Sequence, residues 1–523
     1  MSTSFRLSVA AAAMAGICTL APSVSLAQSE EASADASSSS DQSDLVARGE
    51  YLSNMAGCRH CHQARDGEPY AGGRVILTPF GRLMSPNITQ HEPSGIGGWT
   101  RDDFEGALRR GVNKEGGPLY PAMPYNRYTL MSDEDIDALW AYYQTIEPVF
   151  NEVETIQLPF PYNVRQGVAV WKELYFEEAR YEPREEWDDQ LNRGAYLAEG
   201  VAHCAACHTT RNSIGGPVAD QAYQGAVVDG WYAPNISGSV DSHLNKFDQE
   251  TLTAYLANEH PDGLAAFGPM YQVADSLSKA ERSDVEAISA YILKRAEDDP
   301  EGEADEVAEL SEDAMARGAA IYEGNCLSCH GDDGMGRDGL AARLVNNGGV
   351  NGDNPVNVIN VLLQGIEPRN DWGQMPSFYD SLSDEEIADV TNYVRASWGN
   401  EVPRLATALD VERARGVAQL DMTGDTDLTA ACPVVSLEGV SDGTRDAVRA
   451  VADGPVQEGE LQDAVASLEN DLSDAEYTRK LTVMTSLYCD ALAELDEDIS
   501  EADFRERQLA FMNELNNAIA NDG

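Results

Sequence analysis

Six cysteines and three histidines of this 523-residue chain recur in one frame: Cys58-Arg59-His60-Cys61-His62, Cys204-Ala205-Ala206-Cys207-His208 and Cys326-Leu327-Ser328-Cys329-His330. Two thiols one helical turn apart can add across the two vinyl groups of a haem, and the adjacent histidine then points an imidazole nitrogen at the iron. This is the C-x-x-C-H attachment signature of c-type haem. A redox cysteine pair needs no histidine after it, and a zinc site needs ligand pairs brought together from elsewhere. The frames therefore predict three covalently bound haem c groups.

The sixth iron ligand decides between a carrier and an enzyme. One methionine recurs after each frame: Met123 in Tyr120-Pro121-Ala122-Met123-Pro124, Met270 in Gly268-Pro269-Met270 and Met375 in Gln374-Met375-Pro376. A thioether is a soft, weak ligand that raises the potential and closes the iron to substrate, as electron transfer requires. The neighbouring proline is expected to stiffen an extended loop holding each sulfur over the ring. His91, His203, His243 and His260 are spare histidines, and any of them could replace a methionine; His203 is expected at the surface or against a propionate. Trp99, Trp231 and Trp372 precede the methionines and pack either beside the haems or in ordinary core.

The elements that must position these groups also recur. Each unit opens with a helix carrying an Arg-Gly pair: Arg48-Gly49, Arg193-Gly194 and Arg317-Gly318. Each closes with an amphipathic helix whose start is marked by Ser132, Ser278 or Ser383, with acids in the first turn of the first and third. Opening helix, haem frame, Gly-rich loop with methionine and closing helix is the class I cytochrome c plan. The expected fold is all-α: three tandem class I cytochrome c domains at 46–150, 191–296 and 314–400, plus an acidic helical C-terminal region at 401–523. Residues 151–190 form a connector and 297–313 an acidic linker. We expect the connector aromatics, Trp171, Tyr175 and Phe176 among them, to pack the first two domains together; the other reading is a surface facing a partner or quinone.

Residues 1–27 read as a secretory signal, with Arg6, a short apolar stretch from Leu7 to Leu20 and a cleavage site near Ala27. Residues 28–45 are serine-rich and expected to be disordered. No stretch approaches twenty apolar residues, so no transmembrane anchor is predicted. The chain carries 89 Asp and Glu against 36 Lys and Arg, a formal charge of −53, which argues against nucleic acid and favours basic partners. Residues 401–523 alone hold 27 acids and 9 bases. In that region Ser473-Asp474-Ala475-Glu476 reads as a capping box before Tyr477, Leu481, Met484, Tyr488 and Leu492, and Ser500 starts a helix with Phe504, Phe511, Leu515 and Ile519. Cys432 and Cys489 are expected to form a disulfide in an oxidising compartment, with two free thiols or a bond to a partner as the alternatives.

Pro86-Asn87-Ile88-Thr89, Gly95-Ile96-Gly97-Gly98-Trp99-Thr100, Leu119 to Tyr125, Arg193 to His208, Gly230-Trp231-Tyr232-Ala233-Pro234-Asn235 and the Leu158 to Asn163 connector resemble the three-haem cytochrome c subunit of bacterial membrane-bound alcohol, aldehyde and gluconate dehydrogenases. The resemblance covers most of 46–398. It implies proximal ligands His62, His208 and His330 and distal ligands Met123, Met270 and Met375. It also implies a catalytic dehydrogenase partner carrying pyrroloquinoline quinone, flavin or molybdopterin. The expectation is thus a periplasmic electron-transfer subunit with no catalytic residue of its own, passing electrons to membrane quinone or a basic soluble cytochrome. The alternative is a multihaem redox enzyme, of peroxidase or thiosulfate-oxidising type, with one open or unusually ligated haem. Family members often attach to the membrane near the C-terminus, whereas this chain continues for about 120 acidic residues after Trp398, which puts direct quinone reduction in question.

Overall fold

The computed structural model describes residues 42–239, 242–298, 307–337, 339–369, 372–421, 437, 439–473, 477–495, 499 and, at intervals between 503 and 518, Asp503, Phe504, Arg507, Gln508, Ala510, Phe511, Glu514, Leu515 and Ala518. The expected signal sequence at 1–27, the Glu-rich centre of the second linker and Cys432 lie outside these residues. Among them, no helix is long and apolar enough to cross a membrane.

Each repeat is organised by one helix crossing. In the first, the opening helix (residues 42–55) crosses the closing helix Asp133–Tyr143 at Gly49, where a methyl group would lie 2.0 Å from the carbonyl oxygen of Ala138. In the second, Asp189–Tyr196 crosses Arg282–Asp298 at Gly194, with a methyl 1.9 Å from the Ala287 oxygen. In the third, Glu312–Asn325 crosses Asp384–Arg395 at Gly318, at 2.5 Å from the Asp389 oxygen. Only glycine permits two backbones to meet this closely, and this is what the recurring Arg-Gly pair encodes. The first helix starts earlier than composition suggests, and Leu45 packs against the core.

Ser132 and Ser383 cap their helices as expected, accepting from Asp135 N and Glu386 N, and Glu386 completes a capping box. Ser278 does not. It ends the helix Pro269–Leu277, its hydroxyl donating to Asp275 O at 2.8 Å, and the closing helix starts four residues later. A serine that bonds backwards to a carbonyl is no N-cap, and sequence alone does not distinguish the two uses.

The chain is mostly helical, with two small β-sheets added to the helices. Between histidine and methionine the first repeat inserts β1 (Val75–Thr78) and β2 (Gly81–Met84), antiparallel, with the short β3 (Ile156–Gln157) of the connector added to β2. The second repeat inserts β4 (Ala226–Val228) and β5 (Trp231–Ala233). Their turn, Asp229-Gly230, holds φ of 53° and 77°, the left-handed pair that a tight two-residue hairpin demands and that Asp-Gly supplies.

Three hydrophobic cores emerge among the described residues. The first two repeats share one, running from Leu52 through Leu139 and Leu197 to Ile292. The third repeat has its own, around Tyr322, Leu363, Phe378 and Ile387, and it reaches past residue 400 to Ala406, Val411 and Ala414. Buried Arg395 ties that extension down by donating to the carbonyls of Val350, Gly352 and Arg404, at 3.0, 2.5 and 2.6 Å. The last core joins Asp442–Ala452, Glu458–Asp471 and Tyr477–Leu495, with Tyr488 stacked on Phe511 at 4.0 Å. Of the expected cap before Tyr477 and the start at Ser500, Asp474 to Glu476 and Ser500 to Ala502 lie outside the described residues, as does Ile519.

Candidate haem-attachment sites

The frames form single helical turns, Cys58–Cys61, Ala205–His208 and Leu327–His330. The histidine N–H closes each turn on the first cysteine's carbonyl: His62 on Cys58 at 2.9 Å, His208 on Cys204 at 3.1 Å and His330 on Cys326 at 2.9 Å. One turn thereby carries two thiols and an imidazole.

Each imidazole is oriented by a main-chain carbonyl. His62 Nδ1 donates to Pro86 O at 2.9 Å, His208 Nδ1 to Pro234 O at 2.7 Å and His330 Nδ1 to Ala342 O at 3.1 Å. A carbonyl accepts only, so Nδ1 carries the proton and Nε2 keeps the lone pair for a metal, the usual arrangement of a ligating histidine. Burial lowers the pKa of His62 and His208 and takes His330 down to about 4, so the rings are neutral. Burial also pushes the thiols up, Cys204 and Cys326 to about 12 and Cys207 to about 11. That is the reverse of the low-pKa thiolate that a redox pair uses.

Residue types alone give no role to Pro86-Asn87 and Pro234-Asn235, although the dipeptide recurs 24 and 26 residues after its histidine. The structure supplies one. The asparagine folds the chain back on itself so that the proline carbonyl faces the ring. Asn87 Oδ1 accepts from Thr89 N and Asn235 Oδ1 from Ser237 N, both at 2.9 Å, an Asx turn in each case.

The three methionines sit half-buried in three different backbones. Met123 lies in a turn, its N–H on Tyr120 O at 3.2 Å, and packs on the shared core. Met270 is the second residue of the helix Pro269–Leu277, not part of an extended loop: Pro269 fixes the φ of a first helical residue, and Gly268, at φ 56°, makes the turn into it under the Trp231 ring. Met375 pairs with Ile366 through two main-chain hydrogen bonds of 2.8 and 2.9 Å and packs on the third core.

The spare histidines are engaged elsewhere. His91 Nδ1 contacts Ser94 Oγ at 3.0 Å, and His260 Nδ1 accepts from Trp372 Nε1 at 2.9 Å. His243 is buried, its pKa down to about 4. His203 is half-buried: Nε2 donates to Ala56 O at 3.1 Å, and the ring stands edge-on to Tyr128 of the first repeat. Eleven positions separate Arg193 from Cys204 but ten separate Arg48 from Cys58. The extra residue is absorbed by a π-helical turn, Leu197–Val201, and His203 then takes a left-handed φ of 43° where the first repeat uses Gly57.

Of the tryptophans, Trp99 packs on the shared core, Trp231 against Phe267 and Gly268 beside Met270, and Trp372 against His260. The connector divides. Phe176 stands edge-on to Tyr125, Tyr175 OH accepts from Asn212, and Lys172 donates to Arg110 O, so this side packs the first two repeats. Phe160, Val170 and Leu174 are exposed at 80%, 64% and 62%. Cys489 is disulfide-bonded, and its expected partner Cys432 lies outside the described residues.

The family description "Cytochrome c" matches residues 46–147 and 192–296, and "Cytochrome C oxidase, cbb3-type, subunit III" matches 313–394. The chain is 35% identical over 394 residues to the gluconate 2-dehydrogenase cytochrome c subunit of Pantoea cypripedii, covering 71% of this chain and 89% of that one. It is 34% identical over 393 residues to the cytochrome c subunit of the quinone alcohol dehydrogenase of Gluconobacter oxydans, covering 71% and 82%. It is also 34% identical over 386 residues to the fructose dehydrogenase cytochrome subunit of Gluconobacter japonicus, covering 68% and 79%.

Proposed function

The chain belongs to the family of cytochrome c subunits of bacterial dehydrogenases, and from that premise we propose that it is an exported, periplasmic three-haem carrier. It takes electrons from a catalytic dehydrogenase subunit and gives them to a quinone or a basic soluble cytochrome. The observation that carries this reading is the tripled frame in which each imidazole is neutral, half-buried and held through Nδ1 by a main-chain carbonyl.

The donor set fits haem c: paired thiols on one turn, an imidazole with Nε2 available, and a soft thioether from a half-buried segment. Bound haem supplies the one-electron change of its iron. Cys58, Cys61, Cys204, Cys207, Cys326 and Cys329 would hold the three groups covalently. His62, His208 and His330 present Nε2, and their carbonyl partners keep the rings from turning. Met123, Met270 and Met375 would close the other face. A closed face keeps both oxidation states in nearly the same geometry, which suits transfer and excludes substrate.

The test is a count and a spectrum of the purified holoprotein. Alkaline pyridine should give three haem c per chain, and the oxidised protein should show the weak methionine-to-iron band at the red end of the visible range. A high-spin haem that binds cyanide at once would replace this reading with a multihaem redox enzyme. Binding to a basic acceptor should weaken with salt, as steering by the acidic surface requires.

A further inference from the structure

In the first two repeats, the second attachment cysteines lie near one ion pair, Cys61 exposed and Cys207 half-buried. Arg74 of the first hairpin and Asp229 of the second form an ion pair at 2.6 Å, and both charges act on the thiols of Cys61 and Cys207, the latter also feeling Cys61 itself. His60, between the cysteines of the first frame, lies with Nδ1 3.4 Å from Ser276 Oγ of the second repeat. The two repeats thus meet beside these cysteines, yet Cys61 stays exposed.

The third repeat packs on the second through Asn357 and Trp372, and a different element stands beside its own second cysteine. Its first cysteine, Cys326, packs into its own core, as Cys58 and Cys204 pack into theirs. Cys329 packs instead against the core of the C-terminal helices, which also takes in Leu340 and Ala341. The next residue, Ala342, is the one whose carbonyl holds His330. Leu340 O accepts from Gly373 N at 3.1 Å, and Gln374 Oε1, beside Met375, accepts from Gln508 Nε2 at 3.3 Å. Gln508 is only 2% exposed. The C-terminal helices therefore hold the third frame at its cysteine, at the strip that orients its histidine and at the residue before its methionine.

We propose that the C-terminal helices Asp442–Ala452, Glu458–Asp471 and Tyr477–Leu495, with Gln508, form a built-in docking partner of the third repeat, seated over its second-cysteine edge. It keeps external electron carriers from that edge, whereas the second cysteine of the first frame, Cys61, stays exposed. Exchange with outside partners then runs through other faces of the chain. The inference rests on the three-haem reading, which the haem count tests separately.

The experiment uses full-length reduced holoprotein mixed with cobalt(III) tris(bipyridine), each haem followed by freeze-quench EPR. The third haem is identified by the spectral change that Met375→His confers. In the wild type the third haem should oxidise most slowly. Ala341→Arg places a long charged side chain in the seam without entering the third core, and should speed the third haem about tenfold, the scale on which access to one patch alters encounter rates, leaving the other two unchanged. The inference is overturned if the wild-type third haem oxidises as fast as the first, or if Ala341→Arg exposes the C-terminal helices to protease and its rate stays the same. Should that variant not assemble, the wild-type rate order decides alone. A haem count other than three would overturn the carrier reading instead.

Discussion

Arg48 and Arg193 hold Asp135 and Asp284, each three residues ahead of the alanine at the helix crossing, whereas Arg317 holds Asp389, which is itself at the crossing. The shift frees the first two aspartates for a second task. Tyr51 donates to Asp284 at 2.7 Å and Tyr196 donates to Asp135 at 2.5 Å, so each repeat sends a tyrosine, three positions after its arginine, to the other repeat's ion pair. The third repeat has Ala320 at that position. The first two repeats are therefore built as a reciprocal pair over one core. The third is a unit with its own core that packs on the second repeat, through Asn357 to Tyr232 and Trp372 to His260, and on the C-terminal helices. The same contrast runs through the histidine partners, which lie 24 and 26 residues onward on a proline in the pair but 12 onward on an alanine in the third.

The crossing glycines should break this contrast most forcefully. Gly194→Ala puts a methyl on a backbone oxygen that cannot move away, and should cost about 3 kcal/mol or more, melting the first two haem signals together while the third persists. Gly318→Ala should melt the third alone, in a haem-resolved thermal scan. Next comes Asp284→Asn, which leaves the Arg193 guanidinium without its two-point partner and should cost roughly 2 to 3 kcal/mol, below the full cost of a deeply buried pair because Arg193 is partly exposed. Asp389→Asn, with an open arginine partner, should leave the third repeat's stability nearly unchanged.

The same aspartate gives a pH dependence. Burial raises the Asp284 pKa, but the hydrogen bonds from Arg193 and Tyr51 outweigh it, and the net direction is down. A carboxylate whose folded pKa is depressed contributes stability above its unfolded value of about 4, and that contribution is lost as pH falls through the folded value. Acid titration of the shared core should therefore be shallower in Asp284→Asn. The tyrosines act at the other limb. Burial and the Asp135 charge raise Tyr196 to about 12, so its contribution is complete below its unfolded pKa of about 10 and lost as pH rises above it. Tyr196→Phe should cost about 1.5 kcal/mol, typical of a hydrogen bond to a charged acceptor, and should flatten the alkaline loss of stability of the paired repeats alone. A smaller loss, about 1 kcal/mol, is expected of Ser383→Ala, confined to the third repeat.

What the sequence shows of this molecule is what local spacing carries. The C-x-x-C-H frames, the Arg-Gly pairs and the caps at Ser132 and Ser383 each depend on residues within one or two helical turns. Asp229-Gly230 is as legible a hairpin signal, yet it sits in a Gly-rich stretch that reads as loop throughout. The Pro-Asn dipeptides carry a family resemblance without their purpose, because a carbonyl's hydrogen-bond partner leaves no mark in residue type. The Tyr51 to Asp284 contact spans 233 residues, and Cys329 meets helices more than a hundred positions onward; nothing periodic announces such meetings. Ser278 shows the converse, a helix-start residue used to finish the preceding helix.

The connector between the first two repeats has a thermodynamic meaning beyond its packing. A reciprocal interface of this kind normally joins two separate chains, which must surrender translational and rotational freedom to meet. Here residues 151–190 tether the halves, and a short tether raises the effective concentration of one for the other to the order of millimolar. The interface can then rely on half-exposed tyrosines and arginines that would join free monomers only weakly. Cutting the connector would turn a folding problem into a binding problem, and the shared core would become dependent on protein concentration.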